Sequence, residues 1–135
     1  MKTKSRIIKY IVVHCTAGNP KATPKDVLAE FRNKGWKHPG YHYIVTQDGK
    51  IHNLTPDNDV ANGVRGYNMY SLHVAWTGGM DGKDTRTDAQ KAGLRTILHI
   101  LRTKYPDAKI QGHRDFPGVR KTCPNFDAIT EYAKI

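Results

Sequence analysis

The sequence predicts an α/β fold: a single domain with a central mixed β-sheet flanked by helices. Strand-like apolar runs alternate with helix-period patterns, the signature of layered α/β domains. The unbroken run Tyr10-Ile11-Val12-Val13 suits a strand buried on both faces. Asp48-Gly49 between two short runs is a hairpin signal, which adds antiparallel pairing to an otherwise parallel set. No linker, repeat or low-complexity tract interrupts the chain, so residues 1–135 read as one domain.

The elements follow in order. Ile7 to His14 reads as the first strand, placed centrally. Asn19-Pro20 marks a loop, and Thr23 before Pro24 places an N-cap and a first helical position. The helix runs over 24–34 with Val27, Leu28 and Phe31 as its apolar stripe, and Gly35 stops it. Tyr41–Thr46 and Lys50–Leu54 are the hairpin strands, with Asp48 and Gly49 as turn residues that both tolerate positive φ. Residues 57–68 read as loop, Ser71–Thr77 as a strand, and Met80–Arg86 as a polar loop. Thr87 with Gln90 has capping-box spacing. Leu94, Ile97, Leu98, Leu101 and Tyr105 then repeat at the spacing of a buried helical face, and Pro106 ends it. Lys109–Gly112 is a short strand delivering His113. A terminal helix is expected over 126–133.

Composition narrows the class. The chain has 135 residues, 38% hydrophobic and 25% charged, which fits a globular domain that needs no disulfides. No apolar stretch is long enough to span a membrane. The basic start Met1-Lys2-Thr3-Lys4-Ser5-Arg6 leads into an apolar segment interrupted by Lys9 and followed by no small-residue cleavage site, so no classical export signal is expected. Synthesis in the cytoplasm, with any action at the cell wall depending on holin-type release or another export route, is the corresponding expectation. The net charge of +10 favours a polyanionic partner such as nucleic acid, an anionic membrane or a cell wall rich in carboxylates and phosphates. No helix-turn-helix, zinc-finger spacing or RNA-binding aromatic motif supports specific nucleic-acid binding. Two cysteines are too few for a disulfide scaffold. A Cys15–Cys123 bridge is one pairing, two free thiols the preferred one.

Position singles out three of the chemically capable residues. His14 and His113 each end a strand, and ligand sites in open α/β sheets gather beyond strand ends. Cys123, before Pro124, lies in a loop that can return to the same point. Two imidazoles and a thiolate leave one tetrahedral position of Zn²⁺ for a water to be activated, as in catalytic rather than structural zinc sites. No close HxxxH or CxxC spacing ties the three together, so a core histidine and an inert buried thiol stand as the alternative. Cys15 follows His14 on a strand and points to the opposite face.

The order of short motifs adds a resemblance. Ile11-Val12-Val13-His14-Cys15-Thr16-Ala17, Gly40-Tyr41-His42-Tyr43-Ile44-Val45 with Asp48-Gly49, Gly66-Tyr67-Asn68 before Ser71–Thr77 and Gly78-Gly79, Gly112-His113-Arg114-Asp115, and Lys121-Thr122-Cys123-Pro124 together resemble the type 2 N-acetylmuramoyl-L-alanine amidases. That family includes short phage endolysins and is related to the peptidoglycan recognition proteins. The resemblance covers nearly the whole chain. It implies an amidase-like α/β fold and hydrolysis of the amide between N-acetylmuramic acid and L-alanine by a zinc-activated water. One zinc ion would be held by His14, His113 and Cys123, with Tyr41 and Lys121 catalytic. His42 and Asn68 are the expected substrate contacts, His42 with an alternative place behind the site. Asp115 is expected to orient an imidazole or to form a surface ion pair. The rival is a muropeptide-binding module without turnover. A monomer is the default. Two departures stand out: no histidine lies in Ala61–Val64, where relatives often have one, and His73 stands where a glycine is common.

Overall fold

The computed structural model describes residues 6–135. The basic stretch Met1–Ser5 lies outside the described residues. The chain runs β1 (Tyr10–Cys15), α1 (Pro24–Asn33), β2 (Tyr43–Val45), β3 (Ile51–Asn53), β4 (Ser71–Trp76), α2 (Asp88–Lys104), β5 (Lys109–Gly112) and α3 (Ala128–Glu131), with three short 3-10 turns between them. The five strands form one mixed sheet in the order β3-β2-β4-β1-β5. β1 pairs in parallel with β4 and β5, β2 pairs in parallel with β4, and only β3 runs antiparallel. The mixed α/β expectation holds. One detail changes: β4 occupies the middle, because the hairpin adds two strands on its far side while β5 alone adds to β1.

The two faces of the sheet differ in chemistry. Ile11, Val13 and Cys15 of β1 and Leu72, Val74 and Trp76 of β4 join Leu94, Ile97, Leu98 and Leu101 of α2 in the main core. The strand period of two turns the alternate residues to the other face. There Val12, His14, His73 and Ala75 lie under α1, through Val27 and Phe31, and under the loop that carries Val64.

Local signals set the helices where the sequence places them. Thr23 and Asp26 form a reciprocal capping box at α1, and Thr87 and Gln90 form the same device at α2. Gln90 does more. Its buried side-chain amide donates to the carbonyls of Val45 and Thr77, joining the start of α2 to the ends of β2 and β4. α2 rests directly on the hairpin, where a Cβ on Gly49 would lie 2.5 Å from the Ala89 carbonyl oxygen.

One expectation is refined and two are corrected. In the hairpin only Gly49 has positive φ (+85°). The Gly49 amide bonds to the Thr46 carbonyl, and the Asp48 carboxylate accepts from the Thr46 hydroxyl and the Lys50 amide. Asp48 thereby stays in ordinary backbone space as part of a type I turn followed by a left-handed glycine. The terminal helix is a single turn, Ala128–Glu131, capped by the Asp127 carboxylate, which accepts from the Thr130 amide. Met80–Arg86 is not simply a polar loop, because Arg86 is buried. Its guanidinium bonds Asp84 and Glu131 and lies 3.4 Å over the Phe126 ring. That clamp holds the C-terminal segment against the entry to α2.

The clamp makes acid stability predictable. Hydrogen bonding to Arg86 holds the Asp84 and Glu131 carboxyls below their usual range. Their contribution is complete above the ordinary carboxylate values near pH 4 and disappears as pH falls through the lowered folded values. Arg86→Met is expected to cost about 2 kcal/mol at neutral pH. It should also flatten the decline in melting temperature between roughly pH 5 and pH 2. Thermal denaturation of both proteins across that range checks it; parallel curves would show that the clamp contributes nothing.

Candidate metal centre

Backbone pairing brings the candidate ligands together. Val13 of β1 stands opposite Gly112 of β5 in a parallel ladder, so the residues that follow, His14 and His113, emerge side by side. Their rings lie 4.9 Å apart. Cys123 reaches the same point from its loop. The ligating atoms of His14, His113 and Cys123 all fall within 4.8 Å of one another. His14 and Cys123 are buried, and His113 is partly open.

The Cys123 loop is held by specific contacts. The Arg114 amide donates to the Cys123 carbonyl, which ties the loop to the turn carrying His113. Pro124 packs onto Gly112, where a Cβ would lie 2.6 Å from its Cδ. The Cys15 amide donates to Cys123 Sγ at 3.0 Å. Such a bond favours the thiolate. Both cysteines are free thiols, so the bridged alternative is set aside. Bonding to the Cys15 thiol, then burial, push the Cys123 thiol well above its usual range; the Cys15 amide and the Lys121 charge oppose that rise. A thiol so placed needs a cation close by to ionise at neutral pH.

Both imidazoles are held in the neutral form that binds metals. Burial lowers the His14 pKa far below its usual value, helped by His73, His113 and Lys121. Burial, then Lys121, lower that of His113. Two neutral imidazoles and a potential thiolate, with donor atoms within 4.8 Å, fit a zinc ion with a fourth position open.

The other expected site residues separate. Tyr41 lies against the centre, with its ring 5.2 Å from His14 and packed edge-on against Phe31. Its hydroxyl donates to the Cys15 carbonyl, and burial raises its pKa, so the phenol stays protonated. Lys121 is exposed and, with Arg65, Tyr67, His113 and Arg120, lines a groove of about 440 Å³ beside the centre. His42 is corrected as a substrate contact: its ring is wholly buried, with Nε2 on the Asp59 carbonyl and Nδ1 accepting from the His73 amide. Asn68 is half-buried, and its Oδ1 is engaged by the amides of Gly63 and Val64 and by His73. Asp115 neither orients an imidazole nor forms an ion pair among the described residues. It accepts from the Gly112 amide and so closes the turn that presents His113.

Sequence reasoning missed two supporting residues. Arg6 was grouped with a basic terminus, yet its guanidinium binds the carbonyls of Asp57, Asn58, Asn68, Met69 and Ser71 and clasps the loop behind the site. No local pattern announces that role. His73 stood out only as a departure, yet Nε2 of His14 lies 2.8 Å from its Nδ1. The period of β4 contains a signal, since Leu72, Val74 and Trp76 form the apolar face and leave His73 on the face of His14.

The chain is similar to known proteins over most of its length. Residues 4–126 match the family model described as N-acetylmuramoyl-L-alanine amidase. An endolysin of Enterobacteria phage K11 is 34% identical over 131 residues, covering 93% of this chain and 85% of that protein. Among solved structures, the Ph2119 endolysin from a Thermus scotoductus bacteriophage superposes with a TM-score of 0.82 at 30% identity, covering 91% of this chain and 80% of that one. The amidase LysC from Clostridium intestinale superposes with a TM-score of 0.80 at 26% identity, covering 92% and 80%.

Close packing at Gly112 yields a direct test of the loop. Gly112→Ala introduces about 1–3 kcal/mol of overpacking against Pro124. Cys123 is then expected to react with a thiol reagent roughly tenfold faster than in the wild type, as loop opening becomes easier. Mass-spectrometric mapping of the labelled cysteine checks it, and unchanged kinetics would mean that Pro124 does not hold the loop closed.

Proposed function

The chain belongs to the N-acetylmuramoyl-L-alanine amidase family, and from that premise we propose that it is a zinc-dependent amidase. Its reaction is hydrolysis of the amide between N-acetylmuramic acid and L-alanine in peptidoglycan. The observation that carries this reading is the convergence of His14, His113 and Cys123 from three separate segments beside a basic groove. When bound there, zinc supplies Lewis acidity that activates a water and polarises the scissile carbonyl.

The chain's own residues account for the rest. The Cys15 amide supports the thiolate form of Cys123. Tyr41, protonated and adjacent to His14, is the hydrogen-bond donor toward the reacting amide: its single proton, held by the Cys15 carbonyl in the free protein, turns to the substrate when that binds. Lys121 brings an ammonium from the exposed side of the groove toward the developing oxyanion, where positive charge lowers the barrier. Arg65 and Arg120 add positive charge along the same groove. The net charge of +10 holds the protein on an anionic wall. The relatives' description as phage endolysins supports the cell wall as the place of action. Residues 1–135 act as one catalytic domain, as a monomer.

Incubation with purified sacculi, analysed by mass spectrometry, tests this. Free stem peptides beginning with L-alanine are expected, lost with a zinc chelator and restored by added zinc. Stoichiometric zinc and tight muropeptide binding without cleavage would favour a binding module instead. Tyr41→Phe and Lys121→Ala are each expected to lower kcat on the order of 100-fold with zinc content unchanged. Full activity in either variant removes that residue from the mechanism.

A further inference from the structure

Behind the metal centre lies a continuous chain of hydrogen bonds whose direction can be read atom by atom. The backbone amides of Gly63 and Val64 point at the Asn68 side chain, at 3.1 and 2.8 Å. Amide N–H groups only donate, so the Asn68 atom they meet is its oxygen. The same oxygen lies 2.9 Å from His73 Nε2, which must therefore carry a proton. His73 has no solvent exposure, and no carboxylate contacts its ring among the described residues. A second ring proton would leave an uncompensated buried charge. Its Nδ1 is therefore a bare acceptor, and it lies 2.8 Å from His14 Nε2. His14 must place its own proton on Nε2, which leaves the Nδ1 lone pair free.

We propose that His73 is a positioning residue that selects the tautomer and ring orientation of His14, relaying the direction of two loop amides to the metal ligand. The proposal rests on the zinc reading above, with His14 as a ligand. The surroundings are built to hold the relay. A Cβ on Gly63 would lie 2.2 Å from His73 Nδ1, so the imidazole fits only because residue 63 is glycine. His42 stacks parallel to His73 at 5.9 Å and accepts its backbone amide. The loop carrying Gly63, Val64 and Asn68 is in turn clasped by Arg6. A partner that fixes the free nitrogen of a ligating imidazole typically changes metal affinity by 10–100-fold.

Long-range ¹H–¹⁵N spectra of histidine-labelled protein, with and without zinc, provide the test together with zinc affinity measured by competition with a chromophoric chelator. The wild type is expected to show His14 protonated at Nε2 in both states and bound to zinc through Nδ1. His73→Phe keeps the ring volume without an acceptor, and zinc affinity should fall about 10–100-fold. His73→Asn returns an oxygen near the position of Nδ1, and most of the affinity should return. Should His73→Phe fail to fold, the wild-type spectra and His73→Asn still decide. A wild type that holds one zinc through His14 Nε2, or that carries the His14 proton on Nδ1 without metal, overturns the relay and leaves the zinc site standing. Equal zinc affinity in the wild type and His73→Phe does the same. A wild type that takes up no zinc overturns both.

Discussion

The parallel pairing of β1 with β5 is the constraint on which the site depends. Register opposes Val13 to Gly112, and one residue further the two imidazoles leave the sheet side by side. A slip of one residue would send His14 into the apolar face beneath α2 and bring Cys15 to the site. The register is secured because the burial pattern of β1 matches two unlike faces. Ile11, Val13 and Cys15 fill the main core, while Val12 and His14 lie in the layer under α1 and the loop.

That second layer is an unusual interior, because it buries His14, His42 and His73 together with little solvent contact. Burying polar groups is tolerated only when each finds a partner. Here the imidazole nitrogens meet groups of fixed direction: the His73 strand amide, the Asn68 side-chain oxygen, the Asp59 carbonyl or the neighbouring ring. Rigid donors and acceptors make the layer a directional network rather than a plain core, which suits a surface meant to orient ligands. The opposite face is apolar and packs under α2. Arg86 and Gln90, both buried and fully bonded, lock that half to the C-terminal segment and to the sheet.

Much of this was legible in the chain itself. The capping boxes at Thr23 and Thr87, the helical stripe from Leu94 to Leu101 and the strand Lys109–Gly112 are legible in short patterns; the trio His14, His113 and Cys123 is only a candidate on position until the family resemblance selects it, and the structure brings the three together. The elements depend on residues within a few positions of one another; the ligands depend on the rule that sites gather beyond strand ends together with the order of the family's motifs. Strand order, the place of Arg6 and Arg86, the burial of His42, and the role of Asp115 at the Gly112 amide were not legible. They arise from partners distant in the chain, or from a choice between equally good local acceptors. Local sequence thus determined which elements form and which side chains can do chemistry, because caps and periodicities act over one or two turns. The tertiary structure alone decided which buried polar groups meet, because hydrogen-bond direction is set only once distant segments are packed against each other.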